Sequence, residues 1–389
     1  MTENKHTLSD LYQMQSLPLS AKLRMTEFRI RQWIEEFGRD GVYVSFSGGK
    51  DSTVLLDIIR NRMDYKDIPA VFVDVPTQFP ELKEFALTWD NVEVLKPKTN
   101  FMEVCEKYGF PLISKEVADT VCEAKKYFTR VIDENKLLTG DSKENPYYLN
   151  LKKGIIPDYD DIYEYLKQNN IKTNVRVDML YGRLPHKENG IVTNEYSKLY
   201  DKSKYKFMLY SPFDVSGQCC RIMKKKPLHE YLKRTNRMPI TAQMASESKL
   251  RTNQWIKYGC NMFDATHPIS NPMSFWTEQD ILLYIKENNL PICSVYGDVV
   301  PDWDKTNDVA GQMTISDIEG FSNMELFDAE RPPLKTTGCD RTGCMLCGFG
   351  CHLNNDDRFL QLKETHPKMY ALLDVVKTME LRCEKLLNG

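Results

Sequence analysis

Short apolar runs and helically spaced apolar residues take turns along the first hundred positions. Val42, Tyr43 and Val44 make one unbroken run, Ala70 to Val75 a second, and Val92 to Leu95 a third, each the length of a buried strand. Between them, Val54, Leu55, Ile58 and Ile59 recur at helical spacing over Asp51 to Arg62, and a second helical pattern covers Pro80 to Thr88. Ahead of the first run, Leu23, Phe28, Ile30, Trp33 and Ile34 mark one or two helices that end near Phe37. Strand, helix, strand, helix, strand at these intervals predicts an α/β fold with a parallel sheet and right-handed crossovers. Such sheets bind ligands at the carboxyl ends of their strands.

The rhythm dissolves between Asp133 and Tyr210, a stretch rich in Lys, Asn, Asp and Tyr with only short amphipathic pieces such as Asp161 to Gln168. It reads as an insertion. Regular patterns return with a helix over Lys226 to Thr235, a strand over Pro239 to Gln243, and a helix over Thr277 to Asn288. In that last helix Thr277 is the cap, Asp280 holds the third position, and Ile281, Leu282 and Ile285 form the buried stripe. A terminal helix is expected over Pro367 to Leu387. The expected organisation is therefore a helical segment at 1–38, a main domain at 39–330 with its insertion at 133–210, and a cysteine-rich region at 331–389.

Composition narrows the class. A chain of 389 residues with 41% hydrophobic content can bury a substantial core. A net charge of −3 leaves no global footprint of a nucleic-acid binder. No apolar run approaches membrane-spanning length and the start, Met1-Thr2-Glu3-Asn4-Lys5, is polar, so a soluble cytoplasmic protein without a membrane partner is expected. Eleven cysteines in that setting point to metal or redox chemistry before disulfides.

The first candidate site lies at the junction of the first strand and its helix, in Ser45-Phe46-Ser47-Gly48-Gly49-Lys50-Asp51-Ser52. Glycines there let backbone N–H groups converge on an anion at the positive end of the helix. Lys50 adds a charge, and Ser47 and Ser52 add hydroxyls. The spacing is not that of the Walker phosphate loop. The second candidate is built of cysteines. Cys344-Met345-Leu346-Cys347 has a spacing that lets two sulfurs reach one metal centre. Adjacent Cys219 and Cys220, in a bend at a helix start, can face separate corners of a polynuclear cluster. Two ligand sets are open on spacing alone: Cys219, Cys220, Cys344 and Cys347, or the local set Cys339, Cys344, Cys347 and Cys351. Structural zinc competes for either. Cys105, Cys122, Cys260, Cys293 and Cys383 read as ordinary thiols, and His186, His229, His267, His352 and His366 fall in no triad or metal spacing.

Taken in order, these motifs resemble the phosphoadenosine phosphosulfate (PAPS) reductase superfamily, within the adenine-nucleotide α-hydrolase fold. The Ser47–Ser52 loop is similar to the pyrophosphate-binding PP-loop of ATP pyrophosphatases. Val73-Asp74-Val75-Pro76-Thr77-Gln78-Phe79-Pro80-Glu81 resembles the family's Asp-Thr-Gly…Phe-Pro-Glu-Thr segment. Cys219-Cys220 through Pro227-Leu228 resembles the Cys-Cys…Lys…Pro-Leu segment of iron–sulfur adenylylsulfate reductases. Ala245-Ser246-Glu247-Ser248-Lys249-Leu250-Arg251 resembles the Glu-Ser…Arg phosphate motif, and Trp276-Thr277 through Pro291 the Trp-Thr…Leu-Pro segment. The likeness runs from about Gly41 to Cys351.

The resemblance implies a five-stranded, Rossmann-like parallel sheet flanked by helices, with a cysteine-rich C-terminal iron–sulfur region. It implies a [4Fe–4S] cluster on Cys219, Cys220, Cys344 and Cys347. It places Ser45, Ser47, Gly48, Gly49, Lys50, Asp51, Ser52, Asp74, Glu81, Glu247, Ser248 and Arg251 around an adenine nucleotide, with Lys50, Asp51 and Arg251 in the catalytic roles. If that nucleotide is ATP, Mg2+ accompanies it. The chain lacks the C-terminal Glu-Cys-Gly-hydrophobic-His motif of true sulfonucleotide reductases, and Cys383 sits in the unlike context Leu381-Arg382-Cys383-Glu384-Lys385. Its glycine loop is complete, as in ATP-splitting members. The expectation is an iron–sulfur PP-loop ATP pyrophosphatase that adenylates an acceptor for sulfur transfer, similar to DNA phosphorothioation sulfurtransferases. A PAPS or adenylylsulfate reductase is one alternative, and a nucleotide-sensing module working with a partner protein in a defence system is another. Lys224, Lys225, Lys226, Lys233, Arg234 and Arg237 are candidates for a nucleic-acid acceptor's phosphates. Tyr147, Tyr148, Tyr159, Tyr163 and Tyr165 are candidate stacking surfaces. A sulfur donor is the other partner required.

Overall fold

The computed structural model describes residues 4–134, 158–188, 191–211, 213–303, 332–351 and 358–371. Tyr147, Tyr148, His352, Cys383 and the terminal helix beyond Ala371 lie outside them. The chain divides into two compact units, Met1–Pro97 with Lys226–Cys344, and Lys98–Lys225 with Met345–Gly389.

The first unit opens with helices α1 (Leu8–Gln15) and α2 (Leu19–Phe37). Strand β1 (Val42–Phe46) leads through the glycine loop into α3 (Lys50–Asp57), which ends in a wider π turn over Ile58–Arg62. Then come β2 (Ala70–Val73), α4 (Pro80–Ala86) and β3 (Val92–Leu95). After the second unit's long excursion the chain returns as α5 (Lys226–Thr235), β4 (Met238–Ile240), α6 (Lys249–Tyr258), β5 (Asn261–Met262), β6 (Ile269–Ser270) and α7 (Glu278–Glu287). The sheet order is β3-β2-β1-β4-β6-β5. It has six strands rather than five: β3, β2, β1, β4 and β6 run parallel, and β5 pairs antiparallel with β6 at the edge. The strand order reverses between β1 and β4, which puts the glycine loop at the switch point where open α/β sheets bind ligands.

Burial explains why the strands read as unbroken apolar runs. Val42, Val44 and Phe46 of β1 share one core with Val54 and Leu55 of α3, Ile58 and Ile59 of its π turn and Trp33 of α2. α2 is tied in by polar contacts as well. Lys22 Nζ meets Asp280 of α7 at 2.6 Å with both side chains buried, and Trp276 Nε1 donates to Thr26 Oγ1 at 2.9 Å. Asp280 also closes the expected capping box with Thr277.

The second unit holds helices Phe101–Tyr108, Lys115–Glu134, Tyr159–Gln168 and Val175–Leu180, and an antiparallel hairpin of Pro185–Glu188 with Ile191–Tyr196. The expected stacking surface is corrected at two of its tyrosines, while Tyr165 is half-buried. Tyr159 and Tyr163 are buried, and Tyr163 stacks on Tyr181 with ring centres 3.8 Å apart. They build the core of this unit and offer no ring face to a ligand. Among the described residues, no helix is long and apolar enough to cross a membrane.

Candidate active site

The glycine loop is fixed from below and from behind. Gly48 has φ of +72°, and a Cβ there would sit 2.8 Å from the Leu82 carbonyl oxygen, so the loop lies directly against α4. That contact explains why the Phe79-Pro80-Glu81 motif belongs with the loop: proline starts the helix that backs it. Within the loop, hydroxyls satisfy the backbone. Ser47 N–H donates to Ser52 Oγ at 3.2 Å, Gly49 N–H to Ser47 Oγ at 3.3 Å, and Lys50 N–H to the Tyr296 hydroxyl at 3.2 Å. Oxygen atoms of the protein thus accept from the N–H groups that a phosphate oxygen would use.

A cavity of about 350 Å³ opens beside this loop. Ser47, Gly49, Lys50 and Asp51 line it on one side, with Met244, Ser246, Glu247, Thr277, Glu278, Tyr296, Arg341 and Thr342 around the rest. Lys50 is buried, with Nζ 2.5 Å from the Asp340 carbonyl, 3.0 Å from Glu278 Oε1 and 5.3 Å from the Tyr296 ring centre. Asp51 Oδ1 is buried and accepts no hydrogen bond among the described residues. Burial raises the Asp51 pKa, an effect that Lys50 opposes and Glu278 reinforces. Burial likewise pushes Tyr296 up to about 12. Arg251 pairs with Glu247 one helical turn away, and burial lowers its pKa, helped by the positive charge of Arg341.

Of the expected nucleotide residues, Ser47, Gly49, Lys50, Asp51 and Glu247 line this cavity. Ser52 stands one layer behind, bonded to Ser47 and to the Gly49 carbonyl. Arg251 lines a small adjoining cleft with Gln243, Met244 and Gln254. Ser248 is the N-cap of α6 and accepts the Arg251 N–H at 3.3 Å. Asp74, just past β2, pairs with Lys83 at 2.7 Å. Ser45 lies within β1 and Glu81 in the first turn of α4; neither they nor Ser248 and Asp74 line the cavity. Tyr296, Arg341 and Thr342 were not expected. The hairpin of Val299–Pro301 with Leu334–Thr336 brings their two segments together, and Gly338 and Cys339 N–H groups then donate to the carbonyls of Tyr296 and Val295. The only local hint was the placement of Arg341 and Thr342 just before Gly343-Cys344.

The cysteines fall differently. Cys219 and Cys220 lie on a one-turn helix, Gln218–Cys220. The Cys220 thiol is drawn down to about 6, first by a hydrogen bond from Cys219 and then, against burial, by Lys224, Lys115 and Lys225. Residues 110–113 link the two cysteine segments of this unit. Phe110 bridges Val215 on one side, and Leu112–Ile113 pair in parallel with Gly348–Phe349 on the other. Cys347 lies close enough to raise the pKa of buried Cys105 to about 12, after burial itself. Among the described residues, no three His, Cys, Asp or Glu side chains form a group able to hold a metal ion.

A mostly parallel sheet with a glycine loop at its switch point and a polar cavity beside it defines an α/β protein with a candidate site at the carboxyl end of its strands. The chain belongs to the phosphoadenosine phosphosulfate reductase domain family, whose model matches residues 41–138 and 159–348. An adenosine 5'-phosphosulfate reductase of Neisseria meningitidis serogroup B is 31% identical over 99 residues, which are 25% of this chain and 38% of that protein. A probable FAD synthase of Caenorhabditis briggsae is 32% identical over 95 residues, 22% of this chain and 18% of its own length. The match thus spans well under half of these relatives. A PAPS reductase from Candida auris in a phosphate complex aligns at a TM-score of 0.32 and 13% identity, covering 72% of this chain and 88% of that one.

Proposed function

We propose that the chain is a PP-loop ATP pyrophosphatase that adenylates an acceptor oxygen so that sulfur can replace it. The complete Ser47–Ser52 loop, with Lys50 buried at the wall of a polar cavity, carries this reading. In the first step the acceptor oxygen bonds to the α-phosphorus of ATP and the α–β bridging bond breaks, releasing pyrophosphate, which Mg2+ accompanies as part of the substrate. Loop N–H groups and Lys50 meet the charge that builds on the departing pyrophosphate. AMP is then the leaving group when a sulfur nucleophile from a donor attacks.

A [4Fe–4S] cluster on Cys219, Cys220, Cys344 and Cys347 is part of the proposal. The Cys219–Cys220 pair fits it in chemistry: adjacent soft donors with lysines that favour the thiolate. With four cysteine ligands, a bound cluster would supply a structural and electrostatic centre. Lys224, Lys225, Lys226, Lys233, Arg234 and Arg237 are the cations proposed to meet a nucleic-acid acceptor, although Arg234 is paired with Glu93 and Arg237 bonds the Asp40 carbonyl.

The second reading, a sulfonucleotide reductase, is favoured by the Neisseria relative. One incubation separates the two. With ATP, Mg2+ and an acceptor, pyrophosphate is expected and ADP is not. Sulfite formed from adenylylsulfate with a thiol reductant, without pyrophosphate release from ATP, would replace this reading with the reductase. Clean ATP binding with neither product would leave a sensing module.

A further inference from the structure

Two of the cations around the Lys50 cavity are paired with carboxylates. Lys50 faces Glu278 at 3.0 Å, and Arg251 is paired with Glu247. Burial raises the pKa of Asp51. Arg341 also lines the cavity, is exposed to it, and makes no hydrogen bond or ion pair with any described residue. Its charge reaches both Asp51 and Arg251.

The loop that carries Arg341 is anchored on both sides of it to Lys50. The preceding residue, Asp340, accepts from Lys50 Nζ through its carbonyl. The following residue, Thr342, shares a 2.8 Å hydrogen bond with the Tyr296 hydroxyl, which in turn accepts the Lys50 N–H. Arg341 is thereby held beside the phosphate loop on a segment far away in sequence. Among the described residues, Met244 and Tyr296 are the only large apolar ones on the walls, so the cavity suits phosphate groups better than a base.

We propose that Arg341 is a specificity-determining residue: it binds the phosphate of a nucleoside triphosphate that extends beyond the glycine loop, and so favours a triphosphate over nucleotides with a shorter anionic tail. This rests on the Ser47–Ser52 loop being the phosphate cradle. A guanidinium suits the task because its planar fork takes two phosphate oxygens at once.

Calorimetry on the full chain with Mg2+ and ATP, ADP or AMP tests the assignment. Arg341→Ala is expected to weaken ATP at least about tenfold while AMP changes less than about twofold. Arg341→Lys should recover part of the loss, and because Arg341 is exposed both variants should melt like the parent. Unchanged ATP affinity in Arg341→Ala, or equal losses for ATP and AMP, would overturn the role of Arg341 and leave the cradle standing. No binding of ATP or of pyrophosphate by the parent chain, with Lys50→Ala no different, would overturn the cradle and Arg341 together.

Discussion

The Tyr296 hydroxyl accepts the backbone N–H of Lys50 at 3.2 Å, across 246 residues of sequence, and so takes an N–H that the proposed phosphate would use. Tyr296→Phe should cost about 0.5–1.5 kcal/mol of stability, the usual worth of one such bond. Added pyrophosphate should then raise the melting temperature of the variant by more than that of the parent, because the ligand supplies the missing acceptor. Equal ligand-induced shifts would show that the hydroxyl and the phosphate do not compete for this N–H.

Gly48→Ala tests the loop's contact with α4. The left-handed φ of +72° costs about 1–3 kcal/mol for a residue with a side chain, and the new Cβ meets the Leu82 carbonyl at 2.8 Å. A midpoint shift in urea unfolding together with loss of pyrophosphate binding is expected. Retained binding at parent affinity would argue that the loop cradles no phosphate.

Asp51 should make stability fall with rising pH. Its folded pKa lies above the unfolded value, so the folded state holds the proton longer. Stability is therefore fully present below the unfolded pKa near 4 and declines as pH rises through the folded one, where the buried carboxylate ionises among Lys50, Glu278, Arg341 and Arg251. Asp51→Asn should flatten that decline and be more stable than the parent at neutral pH. Urea unfolding of both proteins between about pH 4 and 8 decides it; parallel curves would mean that Asp51 carries no such penalty.

Lys22→Met removes one member of the buried pair with Asp280 and should destabilise by about 3–5 kcal/mol. Adding Asp280→Asn removes the stranded charge and should restore part of that loss. If the double variant is worse than the single one by the full additive amount, the two residues are not energetically coupled.

Protein purified without oxygen should be brown and carry about four irons with acid-labile sulfide. Serine in place of Cys219, Cys220, Cys344 or Cys347 should bleach it, whereas Cys339→Ser and Cys351→Ser should stay coloured. One zinc per chain and no sulfide would end the cluster proposal.

What the sequence made legible is what lies close together along the chain. β1 and α3 announced themselves because both are almost wholly buried and their apolar residues fall in contiguous or helically spaced runs, and the Thr277–Asp280 box because both partners sit within a single turn. β5 and β6 are two residues each, too short for any apolar period to register, so the sixth strand was missed. Tyr296, Arg341 and Thr342 were missed for another reason: what brings them to the glycine loop is a hairpin joining distant segments, which leaves no local pattern. Tyr159 and Tyr163 misled in the opposite direction, since tyrosines in a polar stretch look available until the fold buries them.

The pairing of Leu112–Ile113 with Gly348–Phe349 bears on the order of folding. These partners are separated by well over two hundred residues, so the ladder closes a very large loop and gains nothing until its far strand exists. During synthesis, Phe110 can meet Val215 long before Gly348 leaves the ribosome. The open edge of residues 112–113 must then wait while the rest of the first unit, including the Arg341 loop, is made. A chaperone that covers this edge would act in that interval, and truncation before Gly348 should leave the second unit incomplete while sparing the six-stranded sheet.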